Sequence, residues 1–337
     1  MKNKKILYIG NNLTKKTKYN STIIVLSNLL KKEGYNVRVF SDKTNKILRL
    51  IDMCFSFFKY KKGVDYVLID TFSTVNFYYA LIISQLSRIY KLKYIPILHG
   101  GNLPQRLNKN KFLSKLIFSN SYKNIAPSNY LKFAFEEKGY QTKFIPNILE
   151  IENYNYKNRA QLAPKLFWVR AFKEIYNPTL AITVLFELKK SYPNAKLCMV
   201  GPFVDKSYED SLTLVANLKL EDSVEFTDVL FKEEWHQKSI DFDIFINTTN
   251  FDNTPVSVME AMALGLPVVT TNVGGIPFLV DDKIDGLLVS KSNVEEMTNA
   301  IISLLNHYHP DLPKKAREKV EKFSWSYNKE KWFEILK

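Results

Sequence analysis

Phe251-Asp252-Asn253-Thr254-Pro255-Val256-Ser257-Val258-Met259-Glu260-Ala261-Met262-Ala263-Leu264-Gly265-Leu266-Pro267-Val268-Val269-Thr270 is the stretch whose reading decides the fold. Thr254 suits an N-cap, and Pro255 suits the first helical position, where its missing N–H would have no partner in any case. Gly265 can take the left-handed conformation that ends a helix, and Pro267 stops any continuation. The punctuation therefore predicts a helix over 255–264. Val256, Val258, Met259, Ala261, Met262, Ala263 and Leu264 put apolar groups all round it, as on a helix buried in a large core. Glu260 is its only charge.

A carboxylate on a buried helix costs several kcal/mol unless something hydrogen-bonds to it. One explanation is a salt bridge or a bond to neighbouring backbone. The surroundings favour another. Asp252 lies eight residues upstream, in the loop feeding the helix N-terminus. That terminus presents free N–H groups and positive dipole to any phosphate. A carboxylate suited to diol hydroxyls, an anion-binding helix end and a second carboxylate in a loop describe a nucleotide-sugar site.

From Asp252 to Pro277 the chain resembles the donor-binding signature of glycosyltransferase family 4, whose members are retaining, metal-independent enzymes of the GT-B fold. The matching residues are Glu260-Ala261-Met262-Ala263, Gly265-Leu266-Pro267-Val268-Val269 and Gly274-Gly275-Ile276-Pro277. The first acidic position holds Asp252 where the family usually has Glu. The resemblance implies an α/β chain of GT-B type, with two Rossmann-like domains whose parallel sheets face across a cleft. It spans nearly the whole chain and is sharp between about 243 and 290.

A length of 337 residues suggests two domains. Cys54 and Cys198 are too few for a disulfide framework or a metal cage, which fits a reducing compartment. The apolar run after Met1-Lys2-Asn3-Lys4-Lys5 is too short for a signal peptide, and no run approaches the roughly 18 residues that span a bilayer. A cytoplasmic protein is expected, with the inner face of the membrane as the place of any peripheral contact. Residues 1–150 hold 26 Lys and Arg against 8 Asp and Glu, a net of +18, whereas residues 151–337 hold 22 against 26, a net of −4. A basic first half points to an anionic partner there.

That half alternates apolar runs with amphipathic segments, the pattern of a parallel α/β sheet. Strands are expected at 5–9, 36–40, 65–70, 94–98, 124–126 and 143–145, with helices at 22–33, 77–90, 111–118 and 130–138. The loop after the first strand, Gly10-Asn11-Asn12-Leu13-Thr14-Lys15-Lys16-Thr17-Lys18, lacks the further glycines of a dinucleotide fingerprint. No nicotinamide cofactor is expected. Its lysines read either as a solvated basic loop or as contacts to an anionic acceptor. Residues 46–62 are apolar and aromatic with basic ends, and two readings stay open: an interfacial helix on a membrane, or a helix packed on the core. His99-Gly100-Gly101 follows a strand, where α/β sheets bind ligands, and it matches the His-Gly that the family places beside the sugar.

The polar stretch after Asn147, residues 149–164, reads as a linker between an N-terminal domain (1–148, completed by a C-terminal helix at 325–337) and a donor domain (165–324). Leu166–Arg170 reads as a strand ending in an arginine able to grip a pyrophosphate. The family pairs this arginine with a lysine five positions on, where this chain has Ile175; Lys173 is the nearby substitute. Further strands are expected at 195–200, 224–227, 243–247, 268–271 and 286–289, and helices at 178–190, 208–218 and 232–239. Ser292 and Glu295 read as a capping box opening a helix to about 305. Asp241-Phe242-Asp243 reads as a helix end, and His307 and His309 lack the companions of a metal site.

The expected function is a retaining transfer of sugar from a nucleotide-diphosphate sugar to a glycan or lipid-linked acceptor, in surface polysaccharide synthesis. Resemblance places Glu260 on the ribose and Asp252 on the sugar. Arg170 and the segment Asn253, Thr254, Pro255, Val256 and Ser257 fall on the pyrophosphate, and His99 beside the anomeric carbon. Gly10, Lys15, Asn147 and Lys173 are secondary candidates. No metal or cofactor is expected. A nucleotide-sugar epimerase is one alternative; a non-catalytic protein binding nucleotide or an anionic surface is another. No nucleic-acid motif supports a nucleic-acid partner.

Overall fold

The computed structural model describes residues 4–12 and 21–337, so Lys15 lies outside the described residues. The chain divides into two compact units, Met1–Ile148 with Trp325–Lys337, and Leu149–Ser324. Among the described residues each unit is built on a six-stranded parallel sheet.

In the first unit β1 (Lys5–Ile9), β2 (Asn36–Phe40), β3 (Tyr66–Thr71), β4 (Lys93–Leu98), β5 (Asn124–Ala126) and β6 (Thr142–Phe144) lie in the order β2-β1-β3-β4-β5-β6. The connecting helices are α1 (Thr22–Lys32), α2 (Lys46–Tyr60), α3 (Asn76–Ile89), α4 (Leu103–Lys109), α5 (Lys111–Phe118) and α6 (Asn129–Glu136). All six residues of β3 are buried, because helices cover both faces of a parallel sheet. Strand order reverses between β1 and β3, the switch point at which the carboxyl ends of such sheets open a crevice. α2 packs on the core, as one of its two sequence readings has it, and leaves its other face open. Met53 and Phe57 pack into the core, while Ile47, Leu48, Ile51, Phe55 and Phe58 stay exposed.

The second unit holds β7 (Lys165–Val169), β8 (Lys196–Val200), β9 (Val224–Thr227), β10 (Ile244–Asn247), β11 (Val268–Thr271) and β12 (Leu287–Val289), ordered β12-β11-β10-β7-β8-β9. Its helices are α7 (Pro178–Lys189), α8 (Ser207–Asn217), α9 (Lys232–Lys238), α10 (Val256–Ala263), α11 (Val294–Asn306) and α12 (Asp311–Glu321). Here the switch point falls between β7 and β10. The last helix, α13 (Trp325–Ile335), belongs to the first unit, where Trp332, Ile335 and Leu336 pack against Ile6 and Tyr8.

Several details differ from the sequence reading. Residues 149–164 are packed into the second unit instead of forming a free linker. Leu149 and Tyr154 are buried, and Arg159 donates to the carbonyls of Phe242 (2.9 Å) and Gly265 (2.8 Å) and pairs with Asp243. Its polar composition is spent on these bonds, which is why it looked solvated. Asp243 also accepts from the Ala163 N–H at 3.0 Å, so its carboxylate braces this segment. α10 is capped by Pro255 instead of Thr254. The Pro255 carbonyl accepts from the N–H groups of Val258 and Met259, and its fixed φ of −67° suits the extended cap as well as a first turn. The cap of α11 is Asn293, which accepts from Glu296 N at 3.0 Å, one residue beyond the expected Ser292–Glu295 pair. α4 and α12 were not expected at all. Among the described residues no helix is long and apolar enough to cross a membrane.

Candidate functional site

The switch point of the second unit collects most of the donor candidates. Arg170 follows β7 directly, and the loop after β10 carries Asp252 through Ser257. Arg170 and Asp252 form an ion pair, and the Arg170 guanidinium lies 4.4 Å over the Tyr176 ring. The residue expected on pyrophosphate and the one expected on sugar thus neutralise each other. Around them Arg170 Nε, Thr254 Oγ1 and Ser257 Oγ are buried without hydrogen-bond partners. Buried polar groups in native proteins are nearly always paired, and these three, on Arg170 after β7 and beside the start of α10, are free to bond ligand oxygens. The N–H groups of Val256 and Ser257, in the first turn of α10, have no acceptor within the helix. Pro255 and Asn253 are buried beside them, and the Asn253 N–H donates to Asp252 Oδ1 at 2.7 Å.

The Gly274-Gly275 turn after β11 fixes this loop. A Cβ on Gly275 would stand 2.0 Å from the Asn253 carbonyl oxygen, and one on Gly274 would stand 2.1 Å from that of Asp252. Gly275 N donates to the Asp252 carbonyl at 2.9 Å. Backbone therefore touches backbone, and no side chain fits between.

One turn into α10, Glu260 is 8% exposed and doubly held. Its Oε1 accepts from the Tyr154 hydroxyl at 2.7 Å and from Lys232 Nζ at 2.9 Å. Burial, reinforced by the Glu260 carboxylate, pushes the Tyr154 hydroxyl far up, so it remains a donor. His236 packs against the Tyr154 ring with centroids 4.6 Å apart. Burial, aided by the Lys232 cation, lowers its pKa to about 4. At the far end of α10, Arg317 from α12 donates to the Ala263 carbonyl at 2.6 Å, which satisfies an orphaned helix-end acceptor. Lys232 and Tyr154 were missed in the sequence. The available signal was a lysine opening a short helix, against the helix dipole. Lys173, the sequence substitute for a lysine beside Arg170, instead lies near Asp205, whose carboxyl Ser207 chiefly and Lys173 also hold below the usual range.

His99 stands in the first unit, at the carboxyl end of β4. Its Nε2 lies 3.0 Å from Asp70 Oδ1, and the Tyr8 hydroxyl donates to that same oxygen at 2.9 Å. Because the Asp70 oxygen is the acceptor, Nε2 carries the proton and Nδ1 is the nitrogen left for other work. The imidazole stacks on Phe72 with centroids 5.3 Å apart. Gly10 belongs to this cluster, since a Cβ there would stand 2.3 Å from Asp70 Oδ2. Asn147 lines a cavity of about 30 Å³ together with His99 and Tyr8, room for about one water. Asp70 was missed in the sequence, though a lone carboxylate near the carboxyl end of an apolar strand was its sign. Among the described residues no group of three or more His, Cys, Asp or Glu is placed to hold a metal ion, His307 and His309 included.

The family described as "Glycosyl transferases group 1" matches residues 152–323, half of the chain and nearly all of the second unit. The chain belongs to this family. A Haemophilus influenzae protein named an uncharacterized glycosyltransferase is 34% identical to this group 1 chain over 155 residues, 44% of this chain and 41% of that protein. The chain spans about half the length, or less, of the curated relatives it matches. Among solved structures, sucrose-phosphate synthase from Thermosynechococcus elongatus is 18% identical and covers 98% of both chains with a TM-score of 0.81. Anabaena HepE, solved with UDP and glucose, is 16% identical with a TM-score of 0.77, again over 98% of both chains. These likenesses establish the GT-B architecture of two Rossmann-like units. In this group 1 chain the Asp252-to-Pro277 signature is the α10 loop and helix together with the Gly274-Gly275 turn that braces them.

Proposed function

We propose that this chain transfers a glycosyl unit from a nucleoside-diphosphate sugar, held by the second unit, to a glycan or lipid-linked acceptor served by the first. The observation that carries the reading is Glu260: a buried carboxylate on an otherwise apolar helix, whose first turn gathers Arg170, Thr254 and Ser257 with unused donors. Glu260 accepts the ribose hydroxyls, and its bonds to Tyr154 and Lys232 hold the carboxylate in place. Arg170 and the α10 N–H groups take the diphosphate, and Asp252, released from Arg170, accepts from the sugar hydroxyls. The UDP and glucose bound to HepE, a protein of the same fold, support a donor of this class.

In the reaction the bond between the anomeric carbon and the diphosphate oxygen breaks, and a bond to the acceptor oxygen forms. The acceptor proton passes to the leaving diphosphate, and the anomeric configuration is retained. The diphosphate gains negative charge as it leaves, so fixed cations and N–H dipoles already in place lower the barrier. His99, oriented by Asp70, keeps its Nδ1 side for the acceptor that the first unit serves. The net positive charge of the first half suits an acceptor carried on an anionic membrane. Surface polysaccharide synthesis is the setting such an acceptor implies.

Calorimetric titration with UDP, GDP and ADP tests the donor half. One nucleotide binding at about micromolar strength supports it. Binding of none removes the donor role from α10. Product analysis with the matching nucleotide sugar then separates transfer to an acceptor from epimerisation of the donor.

A further inference from the structure

α2 carries two apolar faces, and the core of the first unit uses only one. At about 100° per residue, Ile47, Phe58, Ile51, Phe55 and Leu48 fall in that order across an arc of about 100° on the outer side. All five are open, from 47% exposure at Phe58 to 71% at Ile47. Single exposed apolar side chains are ordinary, but an unbroken stripe of five is a binding surface. Asp52 is the only carboxylate of the helix.

At the C-terminal end of α2 the surface turns cationic. Lys5, Arg38, Lys59 and Lys62 line a cleft of about 120 Å³ that has no carboxylate among its walls. Arg38 lies 4.3 Å over the Tyr60 ring, and Lys61 lies 3.6 Å over Tyr90. Asp65, which follows this segment, is already engaged by the Lys5 N–H at 2.8 Å and by Lys4.

We propose that this face docks on an anionic lipid bilayer. The five side chains enter the boundary between headgroups and acyl chains, and the Lys5–Arg38–Lys59–Lys62 cleft takes a headgroup phosphate. Apolar burial and cationic attraction act together in interfacial helices, and here the cationic cleft lies at the C-terminal end of the helix that carries the stripe. A second copy of α2 would offer this cationic cleft only Asp52 as a carboxylate, whereas an anionic bilayer offers a field of phosphates. The docked helix also reaches the reactive edge of its own unit. α2 is about 22 Å long, and Arg49 near its start donates to Asn11 at 3.0 Å, beside Gly10 at the carboxyl edge that carries Asp70 and His99. A lipid-linked acceptor would be presented at that edge. The docking rests on the transferase reading for its purpose and on α2 for its evidence.

Co-sedimentation of the whole chain with vesicles of phosphatidylcholine alone, or mixed with phosphatidylglycerol, tests it. The mixed vesicles should carry down the wild type roughly tenfold more than the neutral ones, and added salt should weaken the difference. Ile51→Ser with Phe55→Ser should lower the partition roughly tenfold or more. Lys59→Glu with Lys62→Glu should lower it for the mixed vesicles, while Phe55→Leu should sediment as the wild type does. Failure of the wild type to sediment overturns the proposal, as does equal sedimentation of the serine variant. A wild-type dimer abolished by the serine variant overturns it too, assigning the stripe to a second copy. Nucleotide titration of the same samples keeps the two readings apart: a chain that binds nucleotide and ignores vesicles refutes the docking alone.

Discussion

Replacing Glu260 by Gln keeps the size of the side chain and one acceptor oxygen, and removes the charge. The amide oxygen can still accept from Tyr154, which lies 2.7 Å from the present carboxylate. Lys232 loses its ion pair; with that lysine about a third open to water, the stability cost is about 1 kcal/mol. Nucleotide binding suffers more. A hydrogen bond to a charged acceptor is worth about 1.5–3 kcal/mol and one to a neutral acceptor about 0.5–1.5, so two ribose hydroxyls together lose about 2–3 kcal/mol. That is a roughly 30- to 160-fold weaker Kd in calorimetric titration with the nucleotide the wild type prefers. Tyr154→Phe is the control, because it removes one donor and leaves the charge: less than about tenfold in affinity is expected. Should the Gln variant bind within about twofold of the wild type, α10 is a structural helix and the donor site lies elsewhere.

Gly275→Ala places a methyl 2.0 Å from the Asn253 carbonyl and must push the Asp252–Asn253 loop away; thermal unfolding should drop by several degrees, with nucleotide affinity falling alongside. Arg159→Ala strands the carbonyls of Phe242 and Gly265 and the Asp243 carboxylate, so chemical denaturation should show a loss of about 3–5 kcal/mol. His236 titrates at about 4 in the folded chain against about 6.5 when unfolded. Only the unfolded state binds the proton between those values, so stability falls as pH drops from about 6.5 to about 4. With the ring about a third open, the loss amounts to about 2 kcal/mol, and His236→Phe should flatten that part of the denaturation profile. Asp70→Asn frees the imidazole orientation of His99; turnover should fall roughly tenfold or more while nucleotide affinity stays unchanged, measured by product formation and calorimetry on the same variant.

The strands were legible because parallel strands covered on both sides must be apolar throughout. Lys5–Ile9 and Val268–Thr271 could be read to the residue. α4 and α12 escaped for the opposite reason. Leu103–Lys109 is one short stretch with a proline at its second position, and Asp311–Glu321 is mostly charged, its apolar residues thinly spaced. Glu260 announced itself as the one charge on an apolar helix. Its partners could not, since Tyr154 lies 106 positions away and their pairing exists only in the fold. The pairing of Arg170 with Asp252 was hidden in the same way: each was chosen for a ligand, and only the strand order of the second sheet sets them side by side.

α13 gives the chain an unusual order of assembly. The first unit receives its last helix only after the whole of the second has been made, so a growing chain carries an unfinished sheet, with Ile6 and Tyr8 only partly covered by Ile23, Leu26 and Leu30 of α1, while 176 further residues emerge. The second unit is continuous in sequence and can fold as it appears; the first waits for Trp332, Ile335 and Leu336 to close it. Quality control of this chain is therefore concentrated in its final helix. A fault there would spare the second unit and leave the first open to chaperones and proteases.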